Sequence, residues 1–323
     1  MKKEIAIIFL LFCSACGNTD TSSQNEADEI IDGVAPATHS VDGTPLYPPT
    51  LPPETLERLE ANLDTARRHY ENDPNDEMNI IWYGRRLAYL YRYEEAIDVF
   101  SKGLEVHPES FKLYRHRGHR YISTRQFEKA IDDFKKAVWF MAGKELMIEP
   151  DGAPNKLNIP LSTTQFNVYY HLGLAHYLSR NYSQAYDAYQ ECLKVSNNDD
   201  LVVATIDWLY MTCRKMRKND EAEKLLERIN PEMNIVENDS YLNRLLMYKG
   251  LKAPEELLNV EDLENPDNAI TIATQGYGLG NWYLANGNRE KATEIFEKVV
   301  SGTSWSAFGY IAAEVELNRM KNR

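Results

Sequence analysis

Four arginines in two neighbouring clusters carry the most specific chemistry in this chain: Arg85 and Arg86, then Arg115 and Arg120. A guanidinium presents a planar fork of donors that grips a carboxylate or phosphate with two prongs. Tyr89 and His119 stand beside these clusters, and Tyr170, Tyr177 and Asn281 repeat the mixture of rigid aromatic area and hydrogen-bonding groups further along. That mixture suits recognition of an acidic or C-terminal peptide segment. Arg86 and Arg120 are 34 residues apart and have carboxylates close by, Glu94, Glu95, Asp98, Glu128 and Asp132, so an internal ladder of ion pairs is the competing expectation.

Other chemistries have weaker support. His116 and His119 lie three apart, with His171 and His176 further on, but no cysteine or carboxylate joins them at ligand spacing, so no metal site is expected. There is no glycine-rich phosphate loop, nucleophile elbow or pair of catalytic carboxylates. The chain therefore reads as a non-enzyme with no cofactor, an enzyme site beside Asp151 being a remote alternative. A net charge of −13 argues against nucleic acid, which requires a basic footprint.

The elements that must hold these residues announce themselves by repetition. Ile80, Tyr83, Gly84, Leu87, Ala96, Phe100 and Gly103 return 34 residues later as Tyr114, Arg117, Gly118, Tyr121, Ala130, Phe134 and Ala137. Further copies run through Tyr169, Leu172, Gly173, Ala185, Tyr189 and Cys192, and through Leu279, Gly280, Tyr283, Ala292, Phe296 and Val299. Small residues fall where two antiparallel helices touch, and large ones where the pair needs filling. The pattern predicts an all-α chain, a right-handed superhelical solenoid of helix pairs in which each unit packs on its neighbours. Expected are a half-repeat cap at 54–74, repeats at about 77–110, 111–144, 166–199 and 203–236, a degenerate pair at 240–268, a last repeat at 273–306 and a capping helix at 306–321. Glu314, Glu316, Arg319 and Lys321 would form that helix's polar outer face. Cys192 and Cys213 face the packed interior in this register and are expected as buried thiols, with a disulfide as the alternative.

An insertion at 142–162 interrupts the array. Loops of that length in a compact array are usually functional or disordered, and Glu149, Pro150, Asp151, Gly152, Pro154, Asn155 and Pro160 make this one stiff and turn-rich. Folded over the groove beside Arg120, it would gate or complete a site.

The repeat resembles the tetratricopeptide repeat, and the chain as a whole is similar to an uncharacterised group of bacterial proteins of that kind, on WYGRRLAYLY from Trp82, HRGHRYI from His116 and EPDGAPN from Glu149. The resemblance implies that first helices line a concave groove. In this register the groove holds Arg85 and Tyr89, then Lys112, Arg115 and His119, then Asn167, Tyr170 and Tyr177, then Arg214 and Lys215, and finally Tyr277 and Asn281. It also implies that Arg86 and Arg120 occupy a position normally small. A sugar-capturing lipoprotein, with rings stacked on Tyr170 or Tyr177, is the second reading.

The N-terminus points to export. Lys2 and Lys3 precede an apolar run from Ile5 to Phe12, the length of a signal-peptide core. Cys13-Ser14-Ala15-Cys16 resembles a bacterial lipoprotein cleavage site, which implies a signal peptide over 1–15, lipidation of Cys16 and a place in the cell envelope, with Gly17 favouring the outer membrane of a Gram-negative bacterium. Residues 16–53 include six acidic residues and no Lys or Arg, the composition of a disordered tether reaching roughly 30 Å. The expected partner is another envelope protein, bound through a peptide segment.

Overall fold

The computed structural model describes residues 34–150, 152, 155–258 and 269–322. The expected signal segment, Cys16 and Asp151 lie outside the described residues. Antiparallel helix pairs follow one another: α1 (Pro53–Asn72), α2 (Glu77–Tyr89) with α3 (Tyr93–Val106), α4 (Phe111–Ser123) with α5 (Phe127–Met141), and α6 (Thr164–Leu178) with α7 (Tyr182–Val195). After them come α8 (Asp199–Lys215) with α9 (Asn219–Leu226), α10 (Asp239–Tyr248), α11 (Ala269–Ala285) with α12 (Arg289–Val300), and α13 (Phe308–Lys321). The architecture is an all-α superhelix of hairpins.

The hairpins are started, turned and clasped by recurring local devices. Asp76, Ser110, Thr163 and Asn198 cap α2, α4, α6 and α8, each side chain accepting a hydrogen bond from an otherwise unpaired first-turn N–H. The turns pass through one left-handed residue, Tyr91, Arg125, Arg180, Arg217 or Gly287, and the next N–H reaches back to the carbonyl five residues earlier, as in Arg92 to Leu87 and Gln126 to Tyr121. Within each clasp a glycine of the first helix meets an aromatic ring of the second: Gly84 on Phe100, Gly118 on Phe134, Gly173 on Tyr189 and Gly280 on Phe296. A Cβ at Gly84 would lie 2.4 Å from the Phe100 ring, so the helices approach this closely only because no side chain intervenes.

α6 and α8 are buried on nearly every side. Helices apolar all round belong at the centre of a structure, and they hold that place because the superhelix curls until its end meets its beginning. Trp305 packs on Tyr91 and Tyr93, Phe308 on His119 and His171, and Arg125 pairs with Glu314 at 2.7 Å.

This closure corrects two expectations. α13 does not present a solvated face through Glu314 and Glu316: both are buried, on Arg125 and on Lys215 at 2.6 Å. Residues 34–53, expected within the disordered tether, are seated. Strands β1 (Thr38–His39) and β2 (Pro45–Leu46) form a hairpin around Gly43, Leu46 is buried, Tyr47 O accepts from Trp305 Nε1 and Val41 N donates to Glu314. Apolar Leu46 and the hydrogen bonds to the terminal segment outweigh the polar composition. Cys192 and Cys213 are both free and buried.

Candidate functional site

α2 and α4 lie side by side on the inner surface and carry Arg85, Tyr89, Arg115, His119 and Arg120 to the wall of one chamber of about 90 Å³. Arg115, 8% exposed, holds Glu149 Oε1 at 2.8 Å through Nη2, and its Nη1 faces His116 Nδ1 at 3.1 Å and His119 Nδ1 at 3.4 Å. A guanidinium donates only, so those ring nitrogens accept and the imidazoles are neutral on that side. Burial first, and then the surrounding arginines, hold His116 and His119 well below the ordinary histidine range.

The inserted loop bonds to the arginines of this site. Arg85 Nη1 donates to Pro150 O at 2.7 Å, and Arg86 Nη1 to Gly152 O at 3.2 Å. Both guanidiniums lie over Trp82, at 4.6 and 4.9 Å from its ring centre. Gly152 sits so tightly against Tyr89 and Arg85 that a Cβ there would overlap the Tyr89 hydroxyl. The loop leaves and returns on a fixed frame: Ile148 bridges Thr163, and Gln165 bonds Met147 N and Glu145 O.

The ion-pair ladder expected for Arg86 and Arg120 is absent among the described residues. Arg117 takes the nearby carboxylate instead, gripping Asp133 with two prongs at 2.7 and 2.8 Å. Arg120 forms no ion pair with any described residue. It lies over the Tyr93 ring at 5.3 Å, and burial lowers it from 12.5 to about 10. The surface that Arg120 and His119 still expose faces the chamber. Three guanidiniums thus stand around a space that Glu149 alone, among the described residues, counters.

The hairpin of α6 and α7 repeats the glycine-aromatic clasp and its left-handed turn, and the family model for the tetratricopeptide repeat matches it over residues 166–199. The chain carries a tetratricopeptide repeat within a superhelix of that kind. A TPR repeat-containing protein of Methanocaldococcus jannaschii is 24% identical over 241 residues, a match that takes in 64% of this chain and 41% of that relative's length. Solved structures similar to it include a tetratricopeptide repeat protein from Parabacteroides merdae, 16% identical with 80% of this chain and 92% of that one covered and a TM-score of 0.44. YrrB, described as a TPR protein with an unusual peptide-binding site, is 17% identical, with 80% and 99% covered and a TM-score of 0.42.

The other expected groove residues lie elsewhere. Tyr170 and Tyr177 are buried with their hydroxyls on Tyr241 and Tyr277, at 2.9 and 2.7 Å, so neither ring is free to stack on a sugar. Asn281 is 2% exposed and its Oδ1 has no partner among the described residues. Asn155 organises its own loop, accepting from Leu157 N and Ile159 N, and does not enter the chamber. Lys215 is spent on Glu316. Among the described residues no three His, Cys, Asp or Glu side chains are placed to hold a metal ion. Sequence reading missed Trp82, the platform for both arginines. It also missed Glu149 as the partner of Arg115, although that residue opens the EPDGAPN stretch.

Proposed function

We propose that the chain is a membrane-tethered scaffold that binds an acidic segment of another envelope protein at Arg85, Arg86 and Arg115. The observation that carries this reading is what fills those residues now: a carboxylate on Arg115 and main-chain carbonyls on Arg85 and Arg86, all from one Pro- and Gly-rich stretch. Recognition of carboxylate and peptide carbonyls by guanidinium forks is the chemistry a partner segment would meet once it replaced the loop. The tether is the segment before residue 34, anchored by a lipid on Cys16. Among the described residues no helix is long and apolar enough to cross a membrane.

The test is made in trans. In a variant whose residues 146–161 are replaced by a short Gly-Ser linker, a fluorescein-labelled Glu-Pro-Asp-Gly-Ala-Pro-Asn peptide should bind, read by anisotropy, at least tenfold tighter than to the unaltered chain. Adding Arg85→Gln and Arg115→Gln should abolish that binding. Equal binding with the arginines removed would defeat the proposal. For the tether, an alkyne fatty acid fed to cells should label the protein and fail to label Cys16→Ser; undiminished labelling of that variant excludes the anchor.

A further inference from the structure

Beside the cationic chamber lies a second one of about 240 Å³, and His119 forms a wall of both. The second chamber is aromatic: Trp208, Tyr241, Tyr277 and Phe308 face it, and Ile270, 60% exposed, stands at its edge. Its walls come from distant parts of the chain, α8, α10, α11 and the start of α13, brought together by the closure of the superhelix. Trp208 is only 2% exposed and its Nε1 has no hydrogen-bond partner among the described residues, an uncompensated donor in the chamber wall. Arg244 also lines this space but is consumed by Asp207, at 3.0 and 2.7 Å, and by Thr274 O. Among the described residues, the positive charge without an ion-pair partner therefore collects at one end, on Arg85 and Arg120, and the partly exposed rings of Tyr241 and Phe308 stand at the other.

We propose that the two chambers are one internal binding site for a small organic acid, its carboxylate or phosphate head among Arg85, Arg115 and Arg120 and its ring or other flat apolar body between Trp208, Tyr241 and Phe308. The head exchanges its hydration for guanidinium forks in a water-poor space, where such bonds are strongest. The body lies against the partly exposed rings of Tyr241 and Phe308, and together the chambers fall at the small end of ligand sites, roughly 300 Å³ upward. A peptide chain does not fit this description. The loop engages Arg85 and Arg86 through Pro150 and Gly152, and residues 306–309 line the aromatic end. Entry is past Ile270. The inference stands apart from the partner-segment reading, since it concerns the space that remains when the loop is in place.

The experiment uses the intact chain and isothermal titration calorimetry with 2-naphthoate, 2-naphthol and acetate. Naphthoate should bind one to one and at least tenfold tighter than naphthol, which lacks the charge, or acetate, which lacks the ring. Arg120→Gln should weaken naphthoate at least tenfold and leave naphthol unchanged. Ile270→Glu, an exposed change that leaves the packing intact, should weaken naphthoate by placing a like charge at the entrance. Replacing naphthoate with 1-naphthyl phosphate identifies the preferred head group, tighter binding of either supporting the site. Naphthoate binding no tighter than naphthol or acetate, or equal in wild type and both variants, would overturn the proposal. The peptide test above is unaffected by either outcome, because it is made with the loop removed.

Discussion

Arg120→Gln should make the protein more stable, although it deletes a long side chain from the interior. Burial lowers the guanidinium from 12.5 to about 10, which corresponds to a gross penalty of roughly 3 kcal/mol on the charged form. Against this stand the Tyr93 ring, ~1 kcal/mol for a partly desolvated cation over an aromatic, and the screening that water in the chamber provides. The net gain expected is about 1 to 2 kcal/mol. For a chain of this size that raises the midpoint of thermal unfolding by roughly 2 to 6 °C. The pH dependence follows from the sign. The folded value lies below the unfolded one, so the penalty is complete at every pH below about 10 and shrinks only as pH climbs from there towards 12.5. The advantage of the variant over wild type should therefore be constant from pH 7 to 9. Urea unfolding followed by circular dichroism, with equal slopes for both proteins, measures it. A loss of 1 kcal/mol or more would refute the reasoning, because it would mean that Arg120 has a stabilising partner and the chamber is electrically balanced.

Asp207→Ala should cost about 3 to 5 kcal/mol in the same assay, since it leaves Arg244, 2% exposed, without its counter-charge; the pair Asp207→Leu with Arg244→Met should recover most of that. Gly84→Ala pushes a methyl group to 2.4 Å from the Phe100 ring and should cost about 1 to 3 kcal/mol, less when combined with Phe100→Leu. Glu314→Gln should loosen the closure that Arg125 makes, read as a larger radius of gyration in X-ray scattering, with the helix content unchanged. His116, His119 and His171 are held well below 6.5 by burial and by Arg115 and Arg120. Their neutral forms support the fold fully above pH 6.5, and that support is lost as pH falls below it, by up to roughly 1.4 kcal/mol per pH unit for each histidine. His119→Gln should flatten the fall in thermal midpoint between pH 7 and 5, and an unchanged slope would show that His119 does not contribute.

The hairpins were legible because what makes them is local. Gly84 and Phe100, Gly118 and Phe134, Gly173 and Tyr189, and Gly280 and Phe296 are each 16 residues apart, and both members of every pair stand at fixed repeat positions. The gathering of Arg85, Tyr89, Arg115, His119 and Arg120 was legible for the same reason, since α2 and α4 are successive first helices. What these residues touch was not. Trp305 on Tyr91 and Tyr93, Phe308 on His119, and Glu314 on Arg125 join parts of the chain with no common period, so no spacing announces them. The same closure buries Tyr170 and Tyr177, which an open groove would have displayed, and turns a polar-looking α13 into an inner wall.

Arg120 and Arg244 show why burial alone does not define a site. Both are arginines on inner helices, and for both the leading influence is loss of water, which disfavours the charged form. Arg244 nevertheless ends well above its ordinary value, because Asp207 meets it with two prongs and Thr274 O takes a third hydrogen. Arg120 ends below its ordinary value, with an aromatic face for company and Arg115 and Arg85 adding repulsion. A fold that needed only rigidity at Arg120 would gain more from a neutral side chain there, or from a carboxylate like the one it supplies to Arg244 and to Arg117. The charge left without an ion-pair partner among the described residues is therefore the one available to an added anion, and any anion that neutralises it should stabilise the folded protein with the logarithm of the ratio of its concentration to its dissociation constant.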